Sequence, residues 1–137
     1  MKKIMQATKI WTNNPDTIDE YVDFKSEFSC TAGEKIFLDI SCDNVFNVYL
    51  NGENAGFGSC QNFIGSLQYY TFDITRLCKE HNDLAFTVWH FGDDSSTYIK
   101  QPAYLMFRVR QGENILLTSD KNVLCAPNPN FKSGRAQ

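Results

Sequence analysis

The sequence predicts an all-β domain, a jelly-roll sandwich of two packed antiparallel sheets with about eight strands. Three observations carry this expectation. Apolar and polar residues alternate with period two through most of the chain, the pattern of strands with one buried face. Turn residues interrupt the alternation every ten or so positions, the spacing of short strands in sandwiches and barrels. No stretch carries the 3.6-residue apolar period of a long amphipathic helix. Alternation alone leaves a closed barrel open as the second architecture.

The elements follow in order. Residues 21–30 form the first clear run, with Val22, Phe24 and Phe28 on one face. Thr31-Ala32-Gly33-Glu34 reads as a turn. Ile36, Leu38, Ile40 and Cys42 then alternate with Phe37, Asp39 and Ser41, until Asp43-Asn44 breaks the run. Phe46, Val48 and Leu50 lead into Asn51-Gly52, a favoured two-residue hairpin turn because both residues tolerate positive φ. Residues 53–57 return, and Gly56 and Gly58 mark a bulge or a close backbone approach. Residues 59–66 read as a loop. Residues 68–74 form a strand dense in Tyr69, Tyr70 and Phe72, passing into one helical turn at residues 73–78. His81-Asn82-Asp83 reads as a turn. Leu84, Phe86 and Val88 then point one way, and Ala85, Thr87 and Trp89 the other. Residues 92–102 form a polar loop. Leu105, Phe107 and Val109 share one face of the next strand, which turns at residues 111–114 into a final hairpin. After Asp120 the alternation fades. The expected division is therefore a sandwich over residues 1–125 and a tail or linker to a following domain over 126–137.

A chain of 137 residues is the size of one domain and buries enough surface to fold without a staple. The aromatic share is Phe-rich, which suits a half-buried pleated surface. A net charge of -3 argues against nucleic acid or an anionic membrane as partner. No apolar run is long enough for a membrane-spanning helix. Lys2 and Lys3 imitate the start of a signal peptide, but Gln6, Thr8 and Lys9 interrupt any apolar region, so a cytoplasmic location is expected. The five cysteines are odd in number and scattered. They read as reduced, mostly buried thiols, with a disulfide between two strand cysteines as the alternative.

Enzyme motifs are absent: no phosphate-binding glycine loop, no dinucleotide fingerprint, no Gly-x-Ser-x-Gly elbow. Cys78-x-x-His81 lacks the second ligand pair that zinc requires, so no metal site is expected there. No cofactor is expected, although Asp93 and Asp94 could help hold a structural calcium with backbone carbonyls. His90, at a strand end beside Trp89 and Phe91, reads as a satisfied structural histidine. Asp93-Asp94 and Asp16, Asp19 and Glu20 lie in polar stretches and read as solvated groups rather than a glycosidase pair. The aromatics offer more. An exposed Trp or Tyr covers the apolar face of a sugar ring while polar neighbours bond its hydroxyls. Trp89 and Tyr98, with Asp93 and Asp94, are the candidate carbohydrate contacts, although packing competes for Trp89. Trp11 is the candidate interface residue, expected to pack across one end of the sandwich or against a neighbouring domain.

The order of these segments carries a resemblance. Trp11 is followed by residues 21–28 (Tyr-Val-Asp-Phe-Lys-Ser-Glu-Phe) and Ile40-Ser41-Cys42-Asp43-Asn44. Val48-Tyr49-Leu50-Asn51-Gly52-Glu53, Gly56-Phe57-Gly58 and residues 69–75 (Tyr-Tyr-Thr-Phe-Asp-Ile-Thr) come next. Residues 82–88 then lead into Trp89-His90-Phe91-Gly92. Over nearly the whole chain this resembles the N-terminal β-sandwich domain of bacterial α-L-rhamnosidases and related glycoside hydrolases. One departure stands near residues 117–121, where that family often follows an Asp with a Trp and this chain has Asn122 and Val123. The resemblance implies a galactose-binding-like jelly roll. It also implies a non-catalytic accessory role at a domain interface, in a parent acting on terminal rhamnose or a related sugar. The family's catalytic acid and base lie in a separate helical barrel that this chain lacks, so no catalytic residue carries over. The implied partner is a downstream catalytic domain of the same polypeptide. The alternative is a carbohydrate-binding module. Within this pattern Asn51-Gly52 makes a turn, and the Asp73 carboxylate is placed to cap the helical turn after it.

Overall fold

The computed structural model describes residues 7–12, 20–60, 68–90 and 103–128. They form nine strands and one 3-10 turn. The first four strands are β1 (Glu20–Ser29), β2 (Ile36–Asp43), β3 (Val45–Leu50) and β4 (Glu53–Ser59). Next come β5 (Tyr70–Asp73), the 3-10 turn (Thr75–Leu77) and β6 (His81–His90). β7 (Tyr104–Gln111), β8 (Asn114–Thr118) and β9 (Leu124–Pro127) complete the order. One sheet has the order β4-β3-β6-β1-β9, the other β5-β2-β7-β8. Every ladder is antiparallel. Only the β3–β4 and β7–β8 connections stay within one sheet. Every other connection crosses between sheets, which makes a jelly roll rather than a closed barrel.

The core forms where the inner faces meet. Val22, Phe24, Leu38, Ile40, Phe46, Val48, Leu84, Phe86, Val88, Phe107 and Val109 are all buried there. Phe86 and Phe107 join the two sheets with ring centroids 4.6 Å apart. Each such side chain contributes about 1.5–3 kcal/mol relative to exposure. At one edge the sandwich closes tightly. A Cβ on Gly56 would lie 2.6 Å from the Phe72 ring, and one on Gly58 would lie 2.9 Å from both Phe46 and Tyr70. The two glycines thus mark a close approach. The same hairpin also carries a register shift between Val48 and Tyr49.

Asn51 and Gly52 both have positive φ, 53° and 85°, as the hairpin requires. Asn51 does more than turn the chain. Its amide donates to Leu77 O (3.0 Å) and Asn82 Oδ1 (3.0 Å), and its own Oδ1 accepts from Asp83 N (2.9 Å). Asp73 Oδ1 accepts from Thr75 N at 3.0 Å and from Thr75 Oγ1 at 2.6 Å. The carboxylate holds the 3-10 turn from one residue before its N-cap, Ile74, in an Asx-turn arrangement rather than from the cap position.

Two features depart from the sequence reading. First, a ninth strand lies where alternation fades. β9 is exposed along its whole length, so it has no apolar face to leave a pattern. Backbone bonds to the β1 edge hold it, and the 125/126 division falls inside it. Second, the outer face of the four-stranded sheet is not simply solvated. Asp39 and Ser41 are buried there. Asp39 accepts from Arg108 Nε (2.9 Å) and Nη2 (2.8 Å), Arg110 Nε (2.9 Å) and Nη2 (3.3 Å), and Thr71 Oγ1 (2.7 Å). Arg110 also lies over the Phe37 ring, 4.9 Å from its centroid. Among the described residues, no helix is long and apolar enough to cross a membrane.

Candidate functional site

One end of the sandwich gathers what the sequence singled out. The β1 start, β2 end, β3 start, β4 end, β6 end and β7 start all meet there. The register makes this plain: Glu20 opposes His90, Val45 opposes both Trp89 and Ser59, and Asp43 opposes Tyr104. Residues 13–19, 61–67 and 91–102 fall between the described segments. Asp93, Asp94 and Tyr98 belong to the last of these and lie outside the described residues.

Trp89 is the last outward residue of β6. It stands half-buried on the outer face of the five-stranded sheet, with its ring stacked on Tyr21 of β1 (centroids 6.1 Å, interplanar angle 29°). Strand alternation puts Phe57, Asn47, Thr87 and Asp23 in the next row of that face, and Phe57 is 72 % exposed. Thr87 Oγ1 donates to Asp23 Oδ1 at 2.7 Å, and Asn128 Nδ2 donates to the same oxygen at 3.0 Å. The face therefore offers flat aromatic surface beside amide, hydroxyl and carboxylate groups, a combination suited to stacking on and hydrogen-bonding a sugar ring.

Trp11 sits differently. It packs inward across the same end, 5.6 Å from Phe24 and 6.0 Å from His90 between centroids. Its Nε1 donates to Glu20 Oε1 at 3.2 Å. The strip that carries it is stitched to the four-stranded sheet, where Ile10 and Leu105 exchange backbone bonds of 2.8 and 2.9 Å. Ser119 Oγ donates to Thr8 O (2.6 Å) and accepts from Phe107 N (3.1 Å).

His90 was read as satisfied, and the structure makes it half so. It is fully buried, and its Nδ1 lies 3.0 Å from Asp43 Oδ1, while Nε2 has no hydrogen-bond partner. The strand places the ring between the sheets, where the Trp11 ring packs against it at 67°. Sequence reasoning could identify a strand-end histidine but not which of its nitrogens would be paired.

The described residues of this end do not present a pair of free carboxylates. Asp43 is buried against His90, and Glu20 is buried and bonded to Trp11. Among the described residues, no group of three or more His, Cys, Asp or Glu side chains is placed to hold a metal ion. An open cleft of 760 Å³ lies at the opposite end, lined by Lys35, Glu53, Asp73, Arg76 and Leu77 among others. Lys35 and Asp73 pair across it at 4.0 Å.

No protein-family model and no curated protein matches the sequence. Solved structures do match. The chain is similar to the GH78 family rhamnosidase of Bacillus sp. GL1, with 21% sequence identity and a TM-score of 0.85 over 92% of this chain and 14% of that one. The fold is that of a domain within rhamnosidases. The rhamnosidase-type sandwich recurs in the Streptomyces avermitilis α-L-rhamnosidase complexed with L-rhamnose, at 15% identity and a TM-score of 0.66, over 92% of this chain and 13% of that one. A Pleurotus ostreatus lectin in complex with GalNAc matches more loosely, at 17% identity and a TM-score of 0.52, over 89% of this chain and 34% of that one. The rhamnosidase-type sandwich thus fills nearly all of this chain, while this chain spans only a small part of the rhamnosidases it matches.

Proposed function

We propose that this chain is a non-catalytic β-sandwich accessory domain of a glycoside hydrolase resembling α-L-rhamnosidase, with a structural role at the interface with a downstream catalytic domain. One observation carries the reading: the match covers 92% of this chain but only 14% of the Bacillus rhamnosidase, so the similarity is to one domain-sized piece of a larger enzyme. The internal bonding of Asp43 and Glu20 supports it, because neither carboxylate is free to act on a glycosidic bond. The test is hydrolysis of an aryl α-L-rhamnoside by the purified chain. No turnover above buffer is expected, and turnover that survives repurification overturns the reading.

A second reading, a carbohydrate-binding module, is favoured by the stacked Tyr21–Trp89 pair on the outer face of the five-stranded sheet. Tyr98, Asp93 and Asp94 remain its proposed loop contacts, and a calcium ion held at Asp93 and Asp94 remains part of the same proposal. Isothermal titration with rhamnose and galactose distinguishes the two roles. Heat that disappears in Trp89→Ala supports sugar binding, and no heat at millimolar sugar rejects it.

A further inference from the structure

Four of the five cysteines meet in two pairs, at sequence separations too wide to read as motifs. Cys42 lies near the end of β2, and Cys60 directly follows β4 at the Trp89 end. Both are buried in the core, and each lies close enough to shift the other's proton affinity. The backbone holds them together as well: Cys60 N donates to Asn44 O at 2.7 Å, just past Cys42. The second pair sits at the opposite end, where Cys30 follows β1 and Cys78 follows the 3-10 turn. Both are half-buried, and Cys30 lies close enough to raise the pKa of the Cys78 thiol. Cys30 N donates to Glu80 O at 3.1 Å and Cys30 Sγ to Lys79 O at 3.0 Å, which pins Cys30 beside the residues that follow Cys78. The fifth cysteine, Cys125, is exposed, and its Sγ donates to Trp11 O at 3.6 Å.

We propose that Cys42 with Cys60, and Cys30 with Cys78, are two dithiol pairs that oxidise to intramolecular disulfides, one clasping each end of the sandwich. Thiols this close, on segments tied by the backbone bonds above, can reach disulfide geometry by side-chain rotation. The oxidant is a small-molecule disulfide such as oxidised glutathione. One protein thiolate attacks it, its S–S bond breaks, and one glutathione thiolate leaves, taking up a proton. The second protein thiol loses its proton and attacks the mixed disulfide, releasing the other glutathione. Two protein thiols are oxidised and one glutathione disulfide is reduced to two thiols. The environments set the order. Within the first pair Cys42 holds the Cys60 thiol below its usual range, whereas burial pushes Cys42 well up, so Cys60 attacks first once a local opening exposes the buried pair. At the other end burial pushes the Cys78 thiol up to about 12.

The test uses the full chain with Cys125→Ser, which removes the exposed thiol and its dimers. After native incubation with oxidised glutathione and thiol blocking, the titre of free thiols is expected to fall from four to none. Non-reducing peptide mapping should recover a 42–60 link and a 30–78 link. The thermal midpoint should rise by about 10 °C or more. Adding Cys60→Ser should abolish the 42–60 link and leave the 30–78 link in place. Adding Cys78→Ser should do the reverse. Stable glutathione adducts, an unchanged titre, or links between other cysteines would each overturn the assignment.

Discussion

Replacing Asp39 by asparagine removes the charge that both Arg108 and Arg110 face. Two guanidiniums are then left beside each other on a half-buried surface. Loss of a buried partner costs several kcal/mol, reduced here because both arginines keep part of their surface in water. A loss of about 2 kcal/mol at pH 7 is expected in urea denaturation. Burial works against the Asp39 charge, but the hydrogen bonds from Arg110, Thr71 and Arg108 outweigh it and lower the carboxyl's pKa. A lowered folded pKa gives stability that is present above the ordinary carboxylate range near 3.8 and lost as pH falls through the folded value. The gap between wild type and Asp39→Asn should therefore narrow below about pH 4, and a gap as wide at pH 3 as at pH 7 would remove Asp39 from this role. None of this was legible in the sequence. Asp39 alternates with apolar neighbours as any solvent-facing residue does, and the arginines that cover it arrive 69 and 71 residues later. The cysteine pairs stayed hidden for the same reason, because the tertiary fold, not sequence spacing, brings them together.

The β3–β4 hairpin shows what can be read locally. Asn-Gly announces its own turn because positive φ is a property of those two residues alone. The tertiary bonds of Asn51 are a separate contribution, and Asn51→Gly isolates it. The variant keeps the backbone freedom and drops the bonds to Leu77, Asn82 and Asp83. A loss of about 1–2 kcal/mol is expected, and an unchanged denaturation midpoint would mean that only the turn matters. The two glycines of β4 give a second comparison. Gly58→Ala presses on Phe46, which is fully buried and cannot yield, whereas Gly56→Ala presses on the half-buried Phe72 ring, which can swing outward. The first should cost about 2 kcal/mol and the second under about 1 kcal/mol in guanidinium denaturation. Equal losses would show that Phe72 is held as firmly as Phe46. The inner faces of β1, β2, β6 and β7 were legible in the same local way, since each has one dry face. β9 was not, since it is wet on both.

At the scale of the molecule, two sheets are joined by connections that mostly cross between them, so five of the seven ladders pair strands distant in sequence. Such topologies fold slowly, in about milliseconds to seconds. Ser119 closes one of the longest of these circuits through its bonds to Thr8 and Phe107. Contacts of that kind form late, so Ser119→Ala should accelerate unfolding several-fold and leave refolding nearly unchanged in stopped-flow measurements. A refolding rate that drops by the same factor would place Ser119 in the folding nucleus instead. Of the candidate site, Trp11 packs across one end of the sandwich, Trp89 stands on an outer face, and Asp93, Asp94 and Tyr98 lie outside the described residues. The placement of β9 has a consequence for how the protein is made. β1 is synthesised well before the strand that covers its open edge, Leu124–Pro127. A nascent chain must carry that bare edge until Leu124–Pro127 has been made and has docked, so the hazard of pairing with another chain falls in that interval of synthesis rather than after β9 is in place.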